Sequence, residues 1–395
     1  MNKSILKTDV QLFINKNISS NIQSLILRGS LFKEVNIKEL VEQIEAKKKC
    51  QLKLKTWFKT SNIYFPNKLS IEQTSSETTA IIKSNLINGK SLLDLTGGLG
   101  VDSYYFSKKF KSVAYCETNA KLAKIAAHNF MILKANNITS LCCDGINFLK
   151  NCKEKFDWIY IDPSRRDNKK NKKILIEDCS PNIMIIENLI YERTNKVLIK
   201  MSPMLDISKA IKLIKNVNTV YIIAVKNEVK ELLFHLEKDN NSEVTIITIN
   251  SHHDKSEHFS FKIYQERTAE AKFSTTKQFL YEPNAAVMKS GAFRLVSEHF
   301  KLDKLDINTH LYTSNTKIKN FPGKIYKIIS THNYHKKSIR QIITGHKANL
   351  KTRNFPKKTE KLKKLFKISD GGENYLFFTS NLKNKIVIVC KLALS

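Results

Sequence analysis

Four acids close four successive apolar runs in the first half of this chain. Asp94 ends Ser91–Leu95, Glu117 follows Lys111–Cys116, Asp144 follows Ser140–Cys143, and Asp162 follows Phe156–Ile161. Thr96, Gly97, Gly98 and Gly100 follow the first acid and make a loop almost without side chains. From Val101 and Asp102 onward the residues read as a helix. Glycine lets the backbone approach a ligand and take up positive φ. A helix start presents free N–H groups. Parallel strands carry ligands at their carboxyl ends. This spacing points to a nucleotide cofactor, with Glu117 placed for both ribose hydroxyls and Asp144 for the adenine amino group. Asp162 opens the run Asp162-Pro163-Ser164-Arg165-Arg166, where a substrate would enter.

Two cofactor classes use such a turn. The dinucleotide fingerprint G-x-G-x-x-G needs a third glycine for helix–strand packing. Gly98 and Gly100 fit it, but the third position is Ser103. The other class is S-adenosylmethionine (SAM). It has no pyrophosphate, but its amino-acid head suits a strand-end carboxylate such as Asp94 together with loop amides. Asp102 falls at the helix start beside these groups.

These residues need a scaffold, and the rest of the chain supplies one. Residues 1–70 read as an N-terminal helical domain, with Asn36 capping the helix that starts at Ile37. The basic run Lys47–Lys59 contains Trp57 and Phe58; the preferred reading is aromatics in a core and lysines in water. Before the first strand, Gln73, Ser75, Ser76 and Glu77 are candidate pocket residues, and Asn88-Gly89 is a candidate helix end. Residues 71–270 alternate strand and helix, which predicts an α/β, Rossmann-like sheet covered on both faces. A fifth strand, Lys196–Lys200, delivers Lys200 as a substrate contact. A sixth, Thr219–Val225, leads to an expected helix at Glu228–Leu236. Glu243–Asn250 and Phe259–Tyr264 are the expected closing strands. His252, His253 and His258 lie between them without a metal-site spacing. Residues 271–319 read as a small α+β linker module, and residues 320–395 as a further small α+β domain ending in a hairpin.

With 67 Lys and Arg against 36 Asp and Glu, the net charge is +31. That surplus favours a polyanionic partner, nucleic acid first. The seven cysteines form no C-x-x-C pair, which suits reduced thiols in the cytoplasm. No apolar run is long enough for a membrane span. No metal and no membrane partner are expected.

The motif order resembles bacterial class I SAM-dependent methyltransferases that carry a C-terminal THUMP-like domain. The match runs through EQTSSETTA, DLTGGLGVDS, IDPSRR, KMSP, YEPNAAVMKSGAF, NTHLYTS, RNFP and DGGENYLF. The resemblance implies a seven-stranded sheet whose last strand is antiparallel, with residues 271–319 ferredoxin-like and 320–395 THUMP-like and RNA-binding. It implies cofactor contacts from Asp94, Thr96, Gly97, Gly98, Gly100, Asp102, Glu117 and Asp144. Catalysis would fall to Asp162, Pro163, Ser164 and Arg165, and substrate contact to Gln73, Ser76, Arg166 and Lys200. The implied activity is methyl transfer from SAM to a base of structured RNA, tRNA or rRNA. Enzymes of this type that methylate exocyclic base nitrogens have an aromatic after Asp-Pro-Pro; here Ser164 and Arg165 stand in its place, and Arg165 is a candidate to stack or to hold phosphate. That departure keeps two alternatives open: an RNA-binding or assembly factor with an inactive domain, and a DNA adenine methyltransferase.

Overall fold

The computed structural model describes residues 1–165, 176–252, 255–342, 347–382 and 384–393. The chain divides into two compact units: residues 1–218 with 230–242, and residues 219–229 with 243–395.

In the first unit six described strands pair side by side, apart from a short separate ribbon. Their order is Ile138–Leu141, Phe110–Cys116, Gly89–Asp94, Trp158–Ile161, Lys196–Met201 and Glu228–Glu237. The first five are mutually parallel. The last runs antiparallel to Lys196–Met201, with Met201 opposite Leu232. The antiparallel strand is therefore the segment in which a helix was expected. Two features explain the difference. Leu232, Leu233, Phe234 and Leu236 are all buried, a short apolar stretch interrupted by His235 that periodicity cannot assign to helix or strand. Lys226 and Asn227 both take positive φ, 53° and 62°, the two-residue turn that reverses a chain between strands. Gly89 also differs from its expected place: it begins the first strand, after a helix that ends at Leu86.

The expected break at residue 70 is not a break in packing. Asn36 and Glu39 close a capping box on the helix Ile37–Lys53, whose buried face carries Leu40, Ile44 and Cys50. These side chains share one core with Val101, Tyr104, Tyr105 and Phe130 of the sheet-covering helices. Trp57 is 1% exposed and meets the Tyr104 ring edge-on at 5.0 Å; Phe58 packs on the same core. Burying side chains of this size contributes about 1.5–3 kcal/mol each.

In the second unit, residues 219–225 pair in parallel with Thr245–His252, which pairs antiparallel with Lys255–Lys262. His258 thus sits inside a strand opposite Ile249, and His252 accepts from Asn250 at 2.8 Å; His253 lies outside the described residues. The two C-terminal modules share a second sheet, ordered Asp303–Lys304, Tyr312–Ser314, Phe279–Pro283, Gly323–Asn333, Asn384–Leu392, Asn374–Asn381 and Asn349–Thr352. The helix Thr359–Phe366 buries Leu362 and Phe366 against Leu350, Leu376 and Phe378. Among the described residues no helix is long and apolar enough to cross a membrane.

Candidate functional site

The four acids stand on one rim. Asp94 ends its strand, Glu117 and Asp162 follow theirs directly, and Asp144 lies three residues past Leu141. Because the four strands are adjacent and parallel, the carboxylates run Asp144, Glu117, Asp94, Asp162 along the sheet's carboxyl edge.

The turn between the first two acids is packed on one side and open on the other. A Cβ on Gly97 would lie 2.1 Å from the Tyr115 ring, and one on Gly100 would lie 2.3 Å from Phe130. Gly100 also takes φ +79°. At Gly98 the nearest atom to such a Cβ is 3.9 Å away. Glu117 is fixed by two backbone donors: Gly98 N–H to Oε2 at 2.9 Å and Asn119 N–H to Oε1 at 2.7 Å. Asp144 is exposed and caps the helix Gly145–Asn151 by accepting from Asn147 N–H at 2.8 Å. Gly145, which sequence reasoning passed over, admits no side chain, since its Cβ would meet the Leu95 carbonyl at 2.4 Å.

Asp94 has a different place from the expected one. It is 1% exposed. Its Oδ1 accepts from Thr96 N–H at 3.0 Å and its Oδ2 from the Ser103 hydroxyl. Its carboxylate ties the turn together. Burial pushes its pKa up to about 7, against the two hydrogen bonds. Ser103 stands where a dinucleotide site has glycine, and its hydroxyl is what Asp94 needs.

Asp102 also faces inward. Its Oδ2 accepts from the hydroxyls of Ser75 at 2.7 Å and Tyr160 at 2.8 Å. Lys83 Nζ lies 3.1 Å from Oδ1 as an ion pair. Lys83 is 0% exposed; it donates to both Glu231 oxygens at 2.9 Å and to Ser75 Oγ at 3.0 Å. Burial drives Asp102 up, but Lys83 and Lys200 outweigh it, and its carboxyl ends below the ordinary value. Burial leaves Glu231 above its ordinary value despite the same lysines. Sequence reasoning missed Lys83, Tyr160 and Glu231. A lone lysine in the apolar helix Glu77–Leu86 was the available signal; Glu231 was hidden by the helix expected there.

Asp162, just past the fourth strand's end, is part-exposed, with its side chain 34% exposed. Its N–H donates to Thr96 Oγ1 at 2.7 Å, joining the turn to the fourth strand. Its Oδ2 accepts from Lys200 Nζ in an ion pair. Lys200 therefore engages the acid expected to be catalytic. Pro163 is half-buried and Ser164 is exposed; Ser164 and Arg165 form a two-residue ribbon with Cys179 and Ser180. Arg166 and the lysines after it lie outside the described residues. Of the expected substrate contacts, Gln73 is exposed and Ser76 caps the next helix, accepting from Thr79 N–H at 3.2 Å. Ser75 is the serine of that segment which reaches the site. Among the described residues no group of three or more His, Cys, Asp or Glu could hold a metal ion.

Residues 279–322 match the ferredoxin-like domain family, and residues 323–392 match the THUMP domain-like family. A crystal structure from Porphyromonas gingivalis W83, provisionally described as a methyltransferase, superposes with a TM-score of 0.91 at 28% identity, over 99% of each chain. An uncharacterised RNA methyltransferase of Mycoplasma mobile is 35% identical over 135 residues, 33% of this chain. The chain spans 37% of that relative's length. By fold and modules, the chain is a methyltransferase-type α/β protein with a C-terminal THUMP-like domain.

Proposed function

We propose that the protein is a SAM-dependent methyltransferase that modifies a base in structured RNA, tRNA or rRNA, in the cytoplasm. The observation that carries this reading is the carboxylate row on one sheet edge, ending at the part-exposed Asp162. The site's residues suit SAM. The turn is open at Gly98, and Glu117 is a preset acceptor for a ribose diol. Asp144 stands at the adenine end of the row. Thr96, Gly97 and Gly100 give the turn its shape, and Asp94 and Asp102 hold it from within. SAM, when bound, supplies a methyl group on a positively charged sulfur, which leaves as a neutral thioether. The protein's part is to align the acceptor and exclude water. Asp162 orients the acceptor N–H, takes the proton it sheds and passes it to solvent. A paired base has to be flipped to reach Asp162. The +31 net charge suits a polyanion, and the THUMP-like domain supports RNA over DNA.

The test uses methyl-labelled SAM and RNA from a strain lacking the protein. Label enters RNA with the wild type and not with Asp162→Ala, and nucleoside mass spectrometry names the product. Glu117→Ala weakens SAM binding by about tenfold or more in calorimetry, the scale of a charge-assisted hydrogen bond. Absence of both SAM binding and labelling with every RNA fraction refutes the proposal; labelling of DNA alone would favour the DNA enzyme.

A further inference from the structure

Among the described residues Lys200 is the cation paired with Asp162, and the fold gives it more structure than a substrate contact needs. Ile161 and Ile199 are register partners on adjacent parallel strands. The next residue along one strand is Asp162, and along the other it is Lys200, so the pairing follows from the sheet. Lys200 Nζ engages Asp162 Oδ2. The Lys200 side chain is 15% exposed, and Asp162 is the more open partner at 34%. The carboxylates of Asp102, on the helix Val101–Phe106, and Glu231, on the antiparallel strand, also act on the charge of Lys200. Lys83 pairs with both of these carboxylates. Lys53, at the end of the helix Ile37–Lys53, is the further cation whose charge is felt here.

We infer that Lys200 is a positioning residue: it fixes Asp162 through Oδ2, so that Oδ1 is held toward the acceptor. The inference rests on the reading of Asp162 as the group that takes the acceptor's proton. Two physical points support it. The motif has no aromatic after Asp162-Pro163 to orient the base, so the carboxylate's own orientation carries more of the alignment. A single carboxylate at a strand end is also free to turn, and a lysine on one oxygen removes that freedom. Burial would lower the Lys200 pKa, but Asp162, Asp102 and Glu231 outweigh it and hold the ammonium charged. A charged Lys200 keeps its partner oxygen occupied through the reaction, and the proton shed by the acceptor goes to the other oxygen.

The experiment uses the full chain and two readouts. In methyl transfer, Lys200→Met lowers kcat by about 100-fold, the usual scale of a positioned acid–base group, while KM for RNA and affinity for SAM stay close to wild type. Lys200→Arg recovers roughly tenfold of that loss, because a guanidinium also binds one carboxylate oxygen. The second readout needs no activity. With 13C-labelled lysine, the Lys200 side-chain signal titrates at lower pH in Asp162→Asn than in wild type. Equal melting temperatures show that the variants fold. An unchanged kcat with a raised KM for RNA overturns the inference and makes Lys200 a substrate contact; a Lys200 signal indifferent to Asp162→Asn overturns it too. If the wild type labels no RNA, the functional reading fails, while the lysine titration still decides the pairing.

Discussion

Replacing Lys83 by methionine removes a fully buried cation that pairs with both Asp102 and Glu231. The variant keeps the volume of the side chain and loses its charge. Two carboxylates then remain in the core, together with Ser75, which loses its contact with Nζ. Breaking a buried ion pair from one side costs about 3–5 kcal/mol, because the partner charge is left uncompensated. For a unit of this size, ~1 kcal/mol moves the melting point by roughly 2–4 °C, so a fall of about 10 °C is expected near pH 8. The loss depends on pH in a definite direction. Without Lys83, both carboxyls favour the neutral form. The folded variant therefore binds more protons than the folded wild type, and it loses stability as pH rises. Near pH 5 the gap narrows. Adding Glu231→Met removes one stranded charge and recovers about 2 kcal/mol, since apolar replacement of a whole buried pair is close to neutral. Urea unfolding at the two pH values reads all three quantities. A loss below about 1 kcal/mol near pH 8, or an equal loss at both pH values, refutes the assignment of Lys83 as the compensating charge.

Two further tests concern the turn. Gly97→Ala drives a methyl into the Tyr115 ring, so it costs about 1–3 kcal/mol and abolishes SAM binding; Gly98→Ala meets open space and bears only the left-handed strain of about 1–2 kcal/mol. Equal effects of the two in calorimetry and melting would count against the one-sided packing of the turn. Asp94 carries a raised pKa of about 7 from burial, while its unfolded value is about 4. Between these values the folded state binds the extra proton, so wild-type stability falls as pH rises through that window, and below it Asp94 makes no difference. Asp94→Asn removes this fall; urea midpoints near pH 4.5 and near pH 7.5 should diverge less in the variant than in wild type.

Much of the scaffold could be read from local pattern. Strand positions, the glycine turn and the order of the four acids depend on residues close in sequence. In a parallel sheet, chain direction alone places every strand end on one edge. The helix Thr359–Phe366 and the C-terminal hairpin were likewise visible as periodicity and turn residues. The segment Glu228–Glu237 was not, because a run buried on both faces has no period to read.

What sequence could not reach was the direction in which each charged side chain points. Asp94 and Asp102 look like ligand contacts when read along the chain. Only the folded core shows them turned inward, one onto Ser103 and one between Ser75, Tyr160 and Lys83. Lys83 and Glu231 are 148 residues apart, and no local rule joins them. Sequence determined the sheet, its rim and the residue types upon it, because those follow from backbone geometry. Tertiary structure decided which carboxylates hold the turn and which remains part-exposed, because a buried charge persists only where distant elements bring it a partner.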